Sequence, residues 1–132
     1  MKRVVIDTNV LISSALSPEG PPSRIMGLIS NKEIQLFYCL AIIDEYKRVL
    51  AYDKLNILPQ IQERAINEII RLGILTVPDV SDVPLLDEDD RVFYDTAKDN
   101  EAILITGNTK HYPDESFIMT PSDFLNFLEE ND

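Results

Sequence analysis

The sequence is poor in cysteine, in basic residues and in long apolar runs. Its single cysteine, Cys39, excludes a disulfide framework within the chain and fits the reducing environment of the cytoplasm. The basic segment Met1-Lys2-Arg3 is followed by only three apolar residues before Asp7, so we expect no signal peptide of the usual kind. No apolar run approaches the length of a membrane span.

Basic residues are outnumbered by acidic ones, with 12 Lys and Arg against 23 Asp and Glu and a net charge of −11. A surface that holds nucleic acid through its phosphates needs Lys and Arg, and this balance argues against such a surface. Two explanations remain for the acids. They either solvate the surface, or some of them form a pocket that divalent cations neutralise.

Apolar segments of two lengths alternate along the 132 residues and predict a single α/β domain spanning residues 1–132. The short segments are nearly continuously apolar, which is typical of strands in a parallel sheet covered on both faces. We therefore predict a three-layer α/β/α sandwich with a four- to five-stranded parallel sheet, whose strand order the pattern leaves open. The predicted strands are 4–6, 34–39, 74–77, 102–106 and 117–119.

The longer segments have apolar residues at helical spacing. Proline at 21–22 favours a helix start there, and Gly73 favours a helix end. Residues 79–86 are predicted to be irregular. The predicted helices follow Asp7, begin at 21–23, span 40–50 and 59–72, run from 87–90 to about 100, and begin at 120–123, with a short helical turn within 53–58.

Asp7 directly follows the first predicted strand. In open α/β sheets, the carboxyl ends of the strands line the crevice where ligands bind. Thr8 and Asn9 come next and favour the start of a helix, so an alternative role for Asp7 is that of a helix cap.

Glu45 lies at the margin of an apolar helical stripe, because Ile42, Glu45 and Val49 are spaced i, i+3 and i+7. The neighbouring Asp44 is predicted to face solvent. Burying a carboxylate at this margin costs free energy unless it meets a cation or hydrogen-bond donors. The alternative is that the Glu45 stem packs while its carboxylate reaches water.

Residues 79–101 contain nine acids and only two bases, Arg91 and Lys98. A capping arrangement of Asp87 and Asp90 at a helix start explains one or two of the four consecutive acids at 87–90, and the rest repel one another. Asp90 shares a helical face with Phe93 and is therefore the acid best aimed inward. A cation nearby would relieve the repulsion.

Thr106-Gly107-Asn108 follows the fourth predicted strand and gives a further polar position at a strand end. Glycine permits a sharp turn or a close approach of the backbone. The alternative is an ordinary turn.

In this order, these segments resemble the PIN domain family over essentially the whole chain. The family pattern has a strand followed by Asp-Thr/Ser-Asn, an acid in the helix after the second strand, an Asp-x-x-Asp-x-x-Phe segment and a Thr-Gly-Asp or Thr-Gly-Asn turn. The final segment, residues 118–125, is similar to the tail of bacterial PIN toxins. The matching segments here are 4–11, 42–50, 87–93 and 105–108.

The resemblance implies a metal-dependent endoribonuclease in which Asp7, Glu45 and Asp90 bind one or two Mg²⁺ or Mn²⁺ ions, hard cations that prefer oxygen ligands. The ions would activate water for in-line attack on phosphorus and stabilise the developing negative charge. No histidine, cysteine or serine nucleophile is required. The resemblance also implies a cytoplasmic homodimer, acting as the toxin of a toxin–antitoxin pair and restrained by a cognate antitoxin protein.

One position departs from the family pattern. Many PIN nucleases carry an Asp where this chain has Asn108, which is expected to be a weak metal ligand, acting through water. Asp87 and Asp114 are lesser candidates to replace that acid. Thr8, Asn9 and Thr106 are expected to position the carboxylates or a phosphate.

His111, the sole histidine, has two interpretations. It contacts RNA together with Lys110 and Tyr112, or it is an exposed loop residue. The remaining bases predict no continuous RNA track, so either a second subunit completes one or the metals hold the substrate. These scattered bases are Arg24, Lys32, Lys47, Arg48 and Lys54.

Two other functions fit parts of the pattern. A PIN-like module that binds RNA or protein with little turnover is compatible with Asn108 and with the few bases. A haloacid-dehalogenase-like phosphatase also has an Asp after its first strand. That family requires Asp-x-Asp, however, and position 9 here is Asn, so the phosphatase ranks lower.

Overall fold

The computed structural model describes residues 1–131 and contains a five-stranded, fully parallel β-sheet. The strand order is β3-β2-β1-β4-β5, which places β1 at the centre. The predicted parallel sheet is therefore confirmed, and Asp132, part of the predicted domain, lies outside the described residues. The strands are β1 (Lys2–Ile6), β2 (Ile34–Tyr38), β3 (Ile74–Leu75), β4 (Ile103–Ile105) and β5 (Ile118–Met119).

Helices cover both faces of the sheet, which confirms the three-layer α/β/α architecture. They are α1 (Thr8–Leu16), α2 (Pro21–Ser30), α3 (Leu40–Leu50), α4 (Pro59–Leu72), α5 (Arg91–Asp99) and α6 (Pro121–Glu130). The central helix α5 packs on β1, β2 and β4, while α2 packs between α1 and α6. No helix within residues 1–131 is both long and apolar enough to cross a bilayer.

The five predicted strands differ from the observed ones by one or two residues at their ends, and the start of the helix predicted at 87–90 also differs. The third strand has two residues, because its only neighbour in the described sheet, β2, ends at Tyr38, the register partner of Leu75. The N–H of Thr76 still donates to the carbonyl of Tyr38 at 2.8 Å. The helix predicted from 87–90 begins as a 3-10 turn, Glu88–Asp90, and becomes α-helical only at Arg91. The turn within 53–58 and the irregular segment 79–86 are as predicted.

The central strand is anchored along its whole apolar length. Val4, Val5 and Ile6 are buried between the helical layers. The buried hydroxyl of Tyr46, on α3, donates to the carbonyl of Ile6, the last residue of β1. Because this bond gives a buried carbonyl a partner, it stabilises the strand end from which Asp7 continues.

Gly73 is the C-terminal cap of α4, as predicted, but its backbone is extended and does not use the left-handed region. A Cβ at this position would lie 2.7 Å from Cδ1 of Tyr38 and 2.8 Å from the carbonyl oxygen of Ile69. Close approach of the helix end to β2 therefore requires a glycine here.

Candidate metal centre

The carboxyl ends of β1 and β4 form the base of the candidate site. Ile6 and Ile105 are register partners on these adjacent parallel strands. The residues that follow them, Asp7 and Thr106, therefore leave the sheet side by side. The pairing continues one step further, since the N–H of Asp7 donates to the carbonyl of Ile105 at 2.9 Å.

Asp7 is held by hydrogen bonds to one of its two carboxylate oxygens. Oδ2 accepts from Thr106 Oγ1 at 2.7 Å and from Tyr112 Oη at 3.0 Å, in an environment where Asp7 is 7% exposed. Asp7 occupies the cap position of α1 but makes no side-chain cap bond there, which excludes helix capping as the role of its carboxylate. Within residues 1–131 every side-chain hydrogen bond to Asp7 reaches Oδ2, and Oδ1 accepts none.

Glu45 projects from α3 toward Asp7, as its position on the helical stripe predicted. Its Oε2 accepts a hydrogen bond from Thr8 Oγ1, and Arg48 Nη2 lies 3.7 Å from Oε1. Partial burial raises the pKa of the Glu45 carboxyl, with a further contribution from the charge of Asp7, while the Thr8 bond opposes the rise. The neighbouring Asp44 is exposed, as predicted.

Asp90 ends the 3-10 turn and faces the same space. Its Oδ2 is buried without a hydrogen-bond partner within residues 1–131. Burial, followed by the charges of Asp7 and Asp87, raises the pKa of the Asp90 carboxyl to about 6. A buried, unpartnered carboxylate oxygen beside two other acids is the environment that a bound cation would stabilise.

The three acids predicted from the sequence line one cavity of about 540 Å³. Five other predicted residues also line this cavity: Thr8, Asn9, Asp87, Asn108 and His111. A sixth, Thr106, is fully buried and donates to Asp7. Within residues 1–131, no three His, Cys, Asp or Glu side chains are grouped closely enough to hold an ion between them. The carboxylate oxygens are chemically suitable ligands for Mg²⁺ or Mn²⁺. Because no three such side chains are grouped for an ion in the described residues, binding would require the acids to move closer together.

Asn9 and Thr106 tie the two strand ends together. Asn9 Oδ1 accepts from the N–H of Gly107 at 2.9 Å, and Thr106 Oγ1 accepts from the N–H of Asn108 at 3.1 Å. A Cβ on Gly107 would lie 3.3 Å from Asn9 Oδ1, so glycine lets the turn approach Asn9 closely. Both polar side chains therefore hold the backbone of the turn, and Thr106 also donates to the Asp7 carboxylate.

The Asn108 side chain faces His111. Its Nδ2 lies 3.3 Å from Nδ1 and 3.2 Å from Nε2 of the imidazole. His111 Nδ1 is also 3.9 Å from Asp90 Oδ2, which places the ring at the edge of the cavity. Asp87 has a local structural role, because its Oδ1 accepts from the N–H of Asp89 at 3.0 Å and caps the 3-10 turn.

Tyr112 has a role that the sequence did not reveal. The sequence suggests an RNA contact beside His111, but Tyr112 is 7% exposed in the structure, and its hydroxyl donates to Asp7. Burial and the nearby charge of Asp7 raise the pKa of Tyr112, so the hydroxyl stays protonated and remains a donor. The available signal was an aromatic residue just after a polar turn at a strand end.

Two of the bases that are scattered in the sequence meet in the structure. Arg48 and Lys54 both line the cavity, together with Tyr52 between them. The sequence did not predict that these two bases come together, although two residues are not a continuous RNA track. Their separation of six residues is closed by the end of α3 and the 3-10 turn Asp53–Leu55.

A parallel α/β sandwich with three carboxylates at the carboxyl edge of its sheet offers the oxygen ligands that hard divalent cations prefer. The family model described as PIN domain matches residues 3–110. The chain therefore belongs to the PIN domain family, whose members are typically nucleases that use divalent metals.

Two individual proteins are similar to this chain, one in sequence and one in fold. The chain is 33% identical over 115 residues to the uncharacterized protein MJ1680 of Methanocaldococcus jannaschii, a match that covers 80% of this chain and 70% of that protein. The crystal structure of PAE2754 from Pyrobaculum aerophilum has the same fold, with a TM-score of 0.64. That match covers 98% of this chain and 90% of the other at 13% sequence identity.

Proposed function

We propose that this protein is a metal-dependent endoribonuclease that hydrolyses RNA phosphodiester bonds. Asp7, Glu45 and Asp90 are its proposed catalytic residues and the ligands of one or two Mg²⁺ or Mn²⁺ ions. The observation that carries this proposal is the buried Oδ2 of Asp90, which has no partner within residues 1–131 and lies among acids that raise its pKa.

Other residues of the site hold two of the three acids in place. Thr106 and Tyr112 fix the Asp7 carboxylate, and Thr8 fixes Glu45. When bound, the ions supply charge that attracts the phosphate and lower the pKa of a water that can attack it. Asn108, turned toward His111, is proposed as a weak ligand acting through water, and His111 as a contact at the edge of the cavity.

The acidic surroundings fit this assignment. Without cations, a net charge of −11 and the acids at 87–90 repel an RNA backbone. Neutralising the acids of the cavity turns the same place into a docking site for a phosphate. The proposed substrate therefore binds in a metal-dependent manner.

The proposed biological role is that of a cytoplasmic toxin, homodimeric and restrained by a cognate antitoxin protein. The support is the similarity of the segment 118–125 to the tail of bacterial PIN toxins and the family membership of the chain. Expression should arrest growth, and co-expression of the antitoxin should relieve the arrest. Normal growth during strong expression of folded protein would contradict the role.

A second candidate is a PIN-like module that binds RNA or protein with little turnover. It is favoured by the absence, within residues 1–131, of three acids or imidazoles grouped to hold an ion. Asn108 in place of an acid points the same way.

The test is cleavage of mixed single-stranded RNAs with Mn²⁺, Mg²⁺ or EDTA. Wild-type protein should cut in either metal and not in EDTA, and Asp7→Asn and Glu45→Gln should each lower the rate by roughly a hundredfold or more. Asp44→Asn is the matched control, because Asp44 neighbours Glu45 on α3 but is exposed. Equal activity in all variants would exclude this site, and RNA binding without cutting would favour the binding module.

A further inference from the structure

One rim of the cavity combines two cations with an aromatic ring. Arg48 Nη1 donates to Tyr52 Oη at 2.5 Å, and its Cζ lies 6.0 Å from the ring centroid. Lys54 Nζ lies 5.7 Å from the centroid of the same ring. We call these three residues, Arg48, Tyr52 and Lys54, the basic rim.

The local chain holds the basic rim in place. Arg48 and Tyr52 are spaced i, i+4 across the end of α3, which brings their side chains to the same side. Tyr52 caps the 3-10 turn that carries Lys54. Arg48 and Lys54 are both attracted to the ring of Tyr52. This attraction keeps the two cations close to each other despite their mutual repulsion.

The basic rim lies directly beside the acids of the candidate metal centre. Arg48 Nη2 is 3.7 Å from Oε1 of Glu45, and its side chain is 59% exposed. A guanidinium in this position can turn from Glu45 to a phosphate in the cavity without a change of backbone. A phosphate bound there would be next to the one that reaches the acids.

Another part of the cavity lining has the opposite charge. Asp87 and Asp89 belong to the lining and are exposed, and Glu88 adjoins them. A polyanionic chain is repelled by these acids and attracted by Arg48 and Lys54. This charge difference within the lining favours an exit from the cavity over the basic rim.

We propose that the basic rim binds the phosphates of single-stranded RNA next to the scissile one, so that the strand leaves the cavity over the end of α3. The inference rests on the proposed ribonuclease function. A single strand fits because the acids are recessed, with Asp7 7% exposed at the base of a cavity of about 540 Å³. A flexible strand can bend into such a cavity, and cations around an aromatic ring are typical of single-strand binding surfaces.

The test is binding of a short fluorescein-labelled single-stranded RNA, measured by fluorescence anisotropy over a range of salt concentrations, in Mn²⁺ and in EDTA, with every variant made in an Asp7→Asn background so that the RNA is not cut. Arg48→Ala and Lys54→Gln should each weaken binding roughly tenfold at about 50 mM salt. Each should also reduce the slope of log affinity against log salt by about 0.7, the value for one lost contact to a single strand.

Lys98→Gln is the matched control. Lys98 Nζ also lies over an aromatic ring, 5.6 Å from the centroid of Tyr94, but it lines a separate cavity with Asp95 and Asp99. It should leave both the affinity and the salt slope unchanged. Equal losses in Lys98→Gln and Lys54→Gln would overturn the proposal, because total charge and not the basic rim would then control binding.

Two further results would overturn it. One is unchanged affinity in both basic-rim variants, and the other is equally tight, equally rim-dependent binding of the same RNA as a duplex. A parallel cleavage assay separates this inference from the proposed function. Rim-dependent binding without cleavage would remove the function and keep the RNA site, while cleavage with rim-independent binding would do the reverse.

Discussion

Replacing Asp90 by asparagine should stabilise the metal-free protein above pH 6, even though it removes a proposed ligand. Burial and the charges of Asp7 and Asp87 raise the pKa of Asp90 from 3.8 to about 6 in the folded state. The folded protein therefore holds this proton more tightly than the unfolded chain does. As the pH rises from about 4 to 6, the wild-type protein loses stability, and above pH 6 the full cost of the charged form is present.

The size of the effect follows from the pKa change. A rise from 3.8 to about 6 corresponds to at most about 3 kcal/mol, at about 1.4 kcal/mol per pKa unit. The Asp90 side chain is 18% exposed, so water screens part of the repulsion. We expect Asp90→Asn to gain about 1–3 kcal/mol at pH 7 and close to nothing below pH 4.

Urea unfolding in EDTA between pH 4 and 8 measures this difference directly. Asp44→Asn is the control, and its free energy of unfolding should stay within about 0.5 kcal/mol of wild type, as is usual for exposed positions. Adding Mn²⁺ should then raise the stability of wild type more than that of Asp90→Asn. If the difference in free energy of unfolding between Asp90→Asn and wild type does not grow with pH, the raised pKa of Asp90 is refuted.

Three further substitutions test individual contacts. Tyr112→Phe removes a donor from Asp7 and should weaken Mn²⁺ binding roughly tenfold by calorimetry, with unchanged binding showing that Thr106 suffices to hold the acid. Asn108→Asp adds an acid to the cavity and should tighten Mn²⁺ binding; unchanged affinity would place position 108 outside the metal's ligands. Gly73→Ala places a Cβ 2.7 Å from the Tyr38 ring and should cost about 1–3 kcal/mol in urea unfolding, whereas a neutral result would mean that the helix end can shift.

The sequence predicted the three acids because each lies in a strong local pattern. Asp7 follows an apolar strand, Glu45 interrupts a helical stripe, and Asp90 shares a helical face with Phe93. Local periodicity determines on which side of an element a residue lies. That the three acids share one site was an expectation from the resemblance to the PIN domain family, because local patterns leave strand order open. The structure places all three in the lining of one cavity.

Contacts between distant segments were beyond the same reasoning. Tyr112 and Asp7 are 105 residues apart, and only the pairing of β1 with β4 brings their loops together. The basic rim was missed for a different reason, because the path of a turn decides whether Arg48 and Lys54 meet or diverge. Strand order and the shortened β3 depend likewise on tertiary pairing, which intrinsic strand preference does not specify.

The central position of β1 has a consequence for when this protein acquires its site during synthesis. β1 is the first strand to be made, yet β4, its partner on one side, comes about a hundred residues later in the chain. Such pairing of distant segments is slow, because the intervening loop must close before the contacts form. Asp7 therefore lies at an unpaired sheet edge, without the hydrogen bonds from Thr106 and Tyr112, until those residues have been synthesised and β4 has paired with β1. The cavity is assembled only after that step.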